Sequence, residues 1–253
     1  MTYVLTSNIQ KGGALLDDCR RAVEEWDPDR TVEENLARIA DENLLAKPSR
    51  TRTDDVLLRV IGPRLVAPGP HVIPALKGLL RNGRAFTEAC YYEAARDDAL
   101  LAAFVEGPLW SWWRAGSTSV RIEDVGDWLT AMGRQGCAPL WSDSVRTKAA
   151  RGILAALRDF GILRGRTYKE ITPPSMSPRG FAYVAWREHE QGASSRALTA
   201  SLIWRRWLLE SDQVLDLFGQ IARLGVLRFS SAGSAVRIDW LARSLAEVTG
   251  AAA

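Results

Sequence analysis

Phe160-Gly161-Ile162-Leu163-Arg164 returns, barely altered, as Leu224-Gly225-Val226-Leu227-Arg228. The glycines stand 64 positions apart (161 and 225), and the apolar pattern before them keeps the same register. Ala150, Ile153, Leu154, Leu157 and Phe160 map onto Val214, Leu217, Phe218, Ile221 and Leu224. Spacings of three and four make each set one face of a helix. The glycine stops it, and a short extended segment beginning with arginine follows. Helix, glycine, apolar pair and basic hairpin in this order predict a winged helix-turn-helix, used twice. Such a duplication points to a chain that grips nucleic acid or protein, not one that transforms a small molecule.

The flanking sequence extends this reading. The second hairpin is legible as Leu227-Arg228-Phe229, a Ser-Ser-Ala-Gly-Ser tip and Ala235-Val236-Arg237-Ile238. The first wing is expected over 164–171. Ahead of it, a helix over 122–134 turns Val125, Trp128, Leu129 and Met132 inward. The first long helix begins at Ser142 or Ser144, either of which suits a cap. The first hundred residues read as a helical bundle. Cys19, Ala22, Val23 and Trp26 form one stripe, Thr31 and Glu34 a capping box, and Val56, Leu57, Val60 and Ile61 another stripe. Pro63, Pro68, Pro70 and Pro74 are expected to break the chain, and a longer helix runs over 86–105 to Gly107-Pro108. After a linker at Pro173, Pro174 and Pro178, helices are expected over 181–191, 194–210 and 240–248. The fold expected is mainly α. It comprises a helical bundle over 1–115, a basic winged-helix-like module over 116–176 and a less basic one over 177–253.

Charge separates the two copies. Ser144, Thr147, Lys148, Arg151 and Arg158 lie opposite the apolar stripe of the first long helix, with no acid on that face between 144 and 158. Arginine forks suit guanine edges, and lysine and hydroxyls suit phosphates. Arg164, Arg166, Tyr168 and Lys169 extend the surface along the wing, giving nine candidate nucleic-acid-binding residues. The alternative is a solvated amphipathic face. In the second copy Ser211, Asp212, Asp216 and Gln220 take the exposed positions, and carboxylates repel phosphate; a structural or protein-docking role fits better. A further basic cluster at Arg50, Arg52, Arg59, Arg64, Arg81 and Arg84 is interrupted by Asp54 and Asp55 and reads as a solvated helix face.

Catalytic patterns are missing. His71 and His189 are far apart, and His189 between two glutamates reads as an exposed helical residue. HExxH, cysteine pairs, EF-hand spacing, GxxxxGK[ST], GxGxxG and GxSxG do not occur. No catalytic residue, metal site, cofactor or small-molecule substrate is expected, and the chain reads as a non-enzyme. Ten tryptophans invite a base-stacking role, but Trp128, Trp204, Trp207 and Trp240 sit at apolar helix positions and are expected in the core. Trp141 is the one placed for contact. A net charge of +3 is too small to identify a polyanionic partner. Cys19, Cys90 and Cys137 are widely spaced, and no run approaches the roughly 18 apolar residues of a membrane span. A cytoplasmic protein without membrane contact is expected.

Thr6-Ser7-Asn8-Ile9-Gln10-Lys11-Gly12-Gly13-Ala14-Leu15-Leu16, followed by Ile39-Ala40-Asp41-Glu42-Asn43-Leu44-Leu45, resembles the BrxA family of bacteriophage-exclusion (BREX) systems. The likeness runs to Pro63-Arg64-Leu65 and covers about the first quarter well. It implies a small, mainly helical, non-enzymatic component of an anti-phage operon. Such a component would bind double-stranded DNA beside methyltransferase, ATPase and phosphatase-like partners. The family has carried an inner-membrane label, which this hydropathy does not support. Two other readings stay open: a protein–protein adaptor within the defence complex, and a winged-helix transcription regulator.

Overall fold

The computed structural model describes residues 5–233 and 235–250. In chain order the helices are α1 (Ile9–Gly12), α2 (Leu16–Glu25), α3 (Val32–Asp41), α4 (Arg50–Val56), α5 (Val72–Leu79), α6 (Gly83–Asp97) and α7 (Ala99–Phe104). They continue as α8 (Trp110–Arg114), α9 (Ile122–Arg134), α10 (Asp143–Asp159), α11 (Pro178–Glu190), α12 (Ser195–Thr199), α13 (Ser211–Arg223) and α14 (Leu245–Thr249). The short strands among the described residues are β1 (Ser119–Val120), β2 (Leu163–Arg164), β3 (Lys169–Ile171), β4 (Leu227–Ala232) and β5 (Ala235–Trp240). The protein is mainly helical, and none of the described helices is long and apolar enough to cross a membrane.

Two compact units, each built from separated stretches, make up the chain: 5–14, 94–175 and 202–209 in one, and 15–93, 176–201 and 210–250 in the other. They do not coincide with the three consecutive segments expected from the sequence. The physical reason lies in two returns of the chain to the first unit. α1 packs on α10, and Arg206 reaches Glu106 at 2.6 Å.

In the first unit, α7 runs on through a π-helical stretch, Val105–Leu109, into α8. Pro108 therefore does not end the helix. The wider π register absorbs its missing N–H. The break expected at 107–108 occurs instead at Asp98, whose carboxylate caps α7 by accepting from the Leu101 amide. Phe104 gathers the aromatic core, 5.2 Å from Trp128 and 5.8 Å from Trp112. β1 enters first, α9 and α10 follow, and β2 and β3 close the element as a hairpin, giving an antiparallel sheet of order β1-β3-β2. β1 was not foreseen: two residues carry no alternation to read. α9 spans the residues expected.

The second unit holds the Thr31/Glu34 capping box as expected. Buried Asn35 fastens the preceding turn through Asp27 and Thr31. Val56, Leu57, Val60 and Ile61 are buried, but the helix continues past Pro63 as a second π-helical stretch, Leu57–Val66. α6 and α11 share a buried ionic knot: Arg187 Nε donates to Glu93 Oε1 at 2.9 Å and the Tyr183 hydroxyl to the same oxygen at 2.8 Å. Removing one partner of such a pair leaves an uncompensated buried charge. Phe218 of α13 packs edge-on against Phe181 and stacks on Phe229 of the β4–β5 hairpin.

Three expectations fail here. The helix expected over 194–210 is split into α12 and a 3-10 turn, Leu202–Trp207, because the chain leaves one unit for the other between them. Trp240 does not open the last helix; it pairs with Leu227 at the end of β5 and meets Trp186 edge-on at 4.9 Å. His189 is not a free surface residue, since it stacks on Trp240 at 5.2 Å. Both glycines of the repeated motif have positive φ, 81° and 78°, and so end α10 and α13 in the left-handed conformation that suits glycine.

Candidate nucleic-acid interface

α10 buries Ala149, Ala150, Ile153, Leu154, Ala156 and Leu157. The opposite face exposes Ser144, Thr147, Lys148, Arg151 and Arg158, as the spacing requires. Its cations are not equivalent. Arg158 is held by Asp159, Nε to Oδ1 at 2.8 Å, and Arg146 at the helix start pairs with Asp143. Lys148 and Arg151 form no ion pair among the described residues. Ser142, not Ser144, occupies the cap position, without a side-chain cap bond. Trp141 is half-buried, and its carbonyl accepts from Arg146 at 2.5 Å.

The β2–β3 hairpin, where the sequence places the wing, divides in the same way. Arg164 lies opposite Glu170 across β2 and β3, and their side chains meet at 2.7 Å. Arg166 and Tyr168 are exposed, Tyr168 by 74%. Lys169 corrects the expectation of an outward cation. It is only 8% exposed, and its Nζ donates to the carbonyls of Gly165, at 2.8 Å, and Arg166. The long aliphatic stem is buried under the wing while the ammonium ties the tip closed. Burial, then the nearby Arg158, hold its pKa below the usual lysine range.

Between α10, the wing and the start of α9 lies an open groove of about 750 Å³. Arg151, Arg158, Arg166 and Tyr168 line it, together with Arg121 from the residue that caps α9. Buried Val120 and Leu154 supply apolar wall, and Glu123 is the carboxylate on its lining. An anion entering this groove meets a surplus of guanidinium groups, whose planar forks suit phosphate oxygens.

Comparison with known proteins adds the lineage. A family model described as BrxA matches residues 5–188. The chain belongs to the BrxA family. Membership associates it with BREX phage-exclusion systems. No curated protein matches the chain. Among solved structures, the crystal structure of an uncharacterized protein from Magnetospirillum magneticum is similar at TM-score 0.61 and 18% identity. The alignment covers 84% of this chain and 100% of that one. At that identity the likeness concerns the fold alone.

The BrxA match includes α1, α9, α10 and the wing, and stops inside α11. Its opening motif gains a physical meaning: Ile9 is buried, and a Cβ on Gly152 of α10 would stand 3.0 Å from the Ile9 carbonyl oxygen and Gln10 Cα. The motif thus braces α10 from behind. Sequence reasoning missed this, and it missed Arg121, a lone basic residue before a helix. The other basic cluster, expected as a solvated face, is paired with acids and departs from that expectation at Arg64: Arg50 meets Asp41 and Asp54, Arg52 and Arg59 meet Asp55, and Arg84 meets Glu88. Arg64 is buried. On α13, Ser211, Asp212 and Asp216 are exposed and Gln220 is half-buried.

Proposed function

We propose that this BrxA-family chain is a non-enzymatic duplex-DNA-binding component of a BREX system. In this reading 116–176 is a winged-helix module that holds DNA mainly by its phosphates, with weak sequence preference. The observation that carries the reading is the exposed face of α10, where Lys148 and Arg151 have no carboxylate partner among the described residues, continued by Arg166 on the wing. The order helix, β1, α9, α10, β2, β3 and the β1-β3-β2 sheet support the winged-helix assignment. Of the nine candidates, Ser144, Thr147, Lys148, Arg151, Arg166 and Tyr168 are in position to contact a duplex; Arg158 and Arg164 act only if they exchange their acids for phosphates.

The test is retardation of a labelled duplex by wild type and by the Lys148→Glu/Arg151→Glu variant. Loss of binding with unchanged helicity and melting supports the reading; binding equal to wild type overturns it. The same duplex incubated with Mg²⁺ stays intact.

The second copy favours a different partner. Asp212 and Asp216 are exposed, and Leu224 and Leu241 remain 47% and 46% exposed. This acidic surface with two leucines suits another protein of the defence system, such as the methyltransferase, ATPase or phosphatase-like component, better than DNA. Co-purification lost on charge reversal of Asp212 and Asp216, with duplex retardation unaffected, is the expected result.

A further inference from the structure

The groove beside α10 holds more than a DNA backbone demands. Phosphates crossing a protein surface need exposed cations; they do not need a hollow behind them walled by Val120 and Leu154. At about 750 Å³ the hollow falls within the roughly 300–1,000 Å³ of small-ligand sites. Its chemistry is two-sided. Arg121, Arg151 and Arg166 line it without an ion-pair partner among the described residues, while Tyr168, 74% exposed as a residue, offers an aromatic ring. An apolar wall with an aromatic ring suits a planar base, and arginine forks suit the phosphate attached to it. Glu123 can accept hydrogen bonds from a sugar hydroxyl or an exocyclic amine.

We propose that this groove is a binding site for a nucleoside phosphate, the base lying between Tyr168 and the apolar wall and the phosphate meeting Arg121, Arg151 and Arg166. The site shares Arg151 and Arg166 with the proposed duplex face but does not require duplex binding. Two sources offer this chemistry: a free nucleotide, and an unpaired nucleotide within a nucleic acid. Lys169 stiffens the wing on one side of the groove through its bonds to Gly165 and Arg166, so Tyr168 is carried on a restrained tip.

Calorimetric titration of the full chain with AMP, adenosine and inorganic phosphate tests the first source. Anisotropy with a duplex carrying a one-nucleotide bulge, against its fully paired parent, tests the second. AMP saturating at least tenfold more tightly than adenosine or phosphate supports a free nucleotide. A bulge preference of tenfold or more supports an unpaired nucleotide. In either case Arg121→Ala and Tyr168→Ala, both at exposed positions, each weaken the preferred ligand about tenfold or more with melting unchanged. Phosphate binding as tightly as AMP with no bulge preference, the absence of both preferences, or variants that bind as wild type would overturn the proposal. Lys148→Glu, outside the groove, separates the two readings: it weakens duplex binding and leaves AMP binding as it was.

Discussion

Lys169 lies beside the proposed duplex face without presenting its charge to it. Its ammonium satisfies two wing carbonyls, and each bond to a charged donor contributes about 1.5–3 kcal/mol. Lys169→Met should therefore loosen the tip, seen as faster amide exchange over 165–170, and weaken duplex binding several-fold although Arg166 is intact. Unchanged exchange would mean that the two bonds do not hold the wing. Glu88 is a second buried charge with a measurable signature. Its carboxylate accepts from the Ser177 amide at 2.9 Å and from the Ser177 hydroxyl at the start of α11, yet burial raises its pKa above the usual carboxylate range. A raised folded-state pKa contributes stability that is complete below the ordinary glutamate value and is lost as pH rises through the raised one. Glu88→Gln removes that loss. The melting difference between variant and wild type should thus move in the variant's favour from pH 4 to pH 7, each 1 kcal/mol being about 2–4 °C at this chain length. A difference constant with pH would refute the burial argument.

α10 is shaped from both sides. Its apolar stripe was legible because spacing of three and four is a local property, and so was the glycine stop. What lies behind it was not: α1 is four residues long and makes no periodic pattern. The close approach at Gly152 gives the prediction for this element. Gly152→Val forces side-chain atoms against the backbone of α1, an overpacking of about 1–3 kcal/mol. Lower melting, earlier proteolysis within 5–14 and weaker duplex retention should appear together. Wild-type melting would show that α1 is not docked there. At Leu57–Val66 and Val105–Leu109 the sequence predicts breaks where the structure has π-helical stretches, because a proline in sequence announces only the loss of an N–H. Whether the helix ends or widens depends on the packing of its neighbours.

The balance of charge over the molecule sets how binding should respond to salt. Lys and Arg number 33, and acids hold Arg50, Arg52, Arg59, Arg158 and Arg164, so under the proposed function Lys148, Arg151 and Arg166 are the cations a duplex would meet. Each phosphate neutralised adds about 0.9 to the slope of log affinity against log salt, so three contacts give a slope magnitude of about 3. Lys148→Gln should lower it by about one. Charge reversal at Arg50 and Arg59, already paired with Asp41, Asp54 and Asp55, should leave it unchanged. A slope near zero would remove phosphate contacts from the account.

Helix content, the capping box, the glycine stops, the polar face of α10 and the acidic face of α13 were all determined by the order of residues, since each depends on neighbours a few positions away. Which cations remain free was decided by folding. Asp159 beside Arg158, Glu170 across the strand from Arg164 and the carbonyls around Lys169 withdraw three of the candidates, whereas Arg121 joins the groove from before α9. Even where the partner is a near neighbour, as Asp159 is of Arg158, neutralisation depends on side-chain directions and distances of a few ångströms, and these are set only once the helix and hairpin are packed.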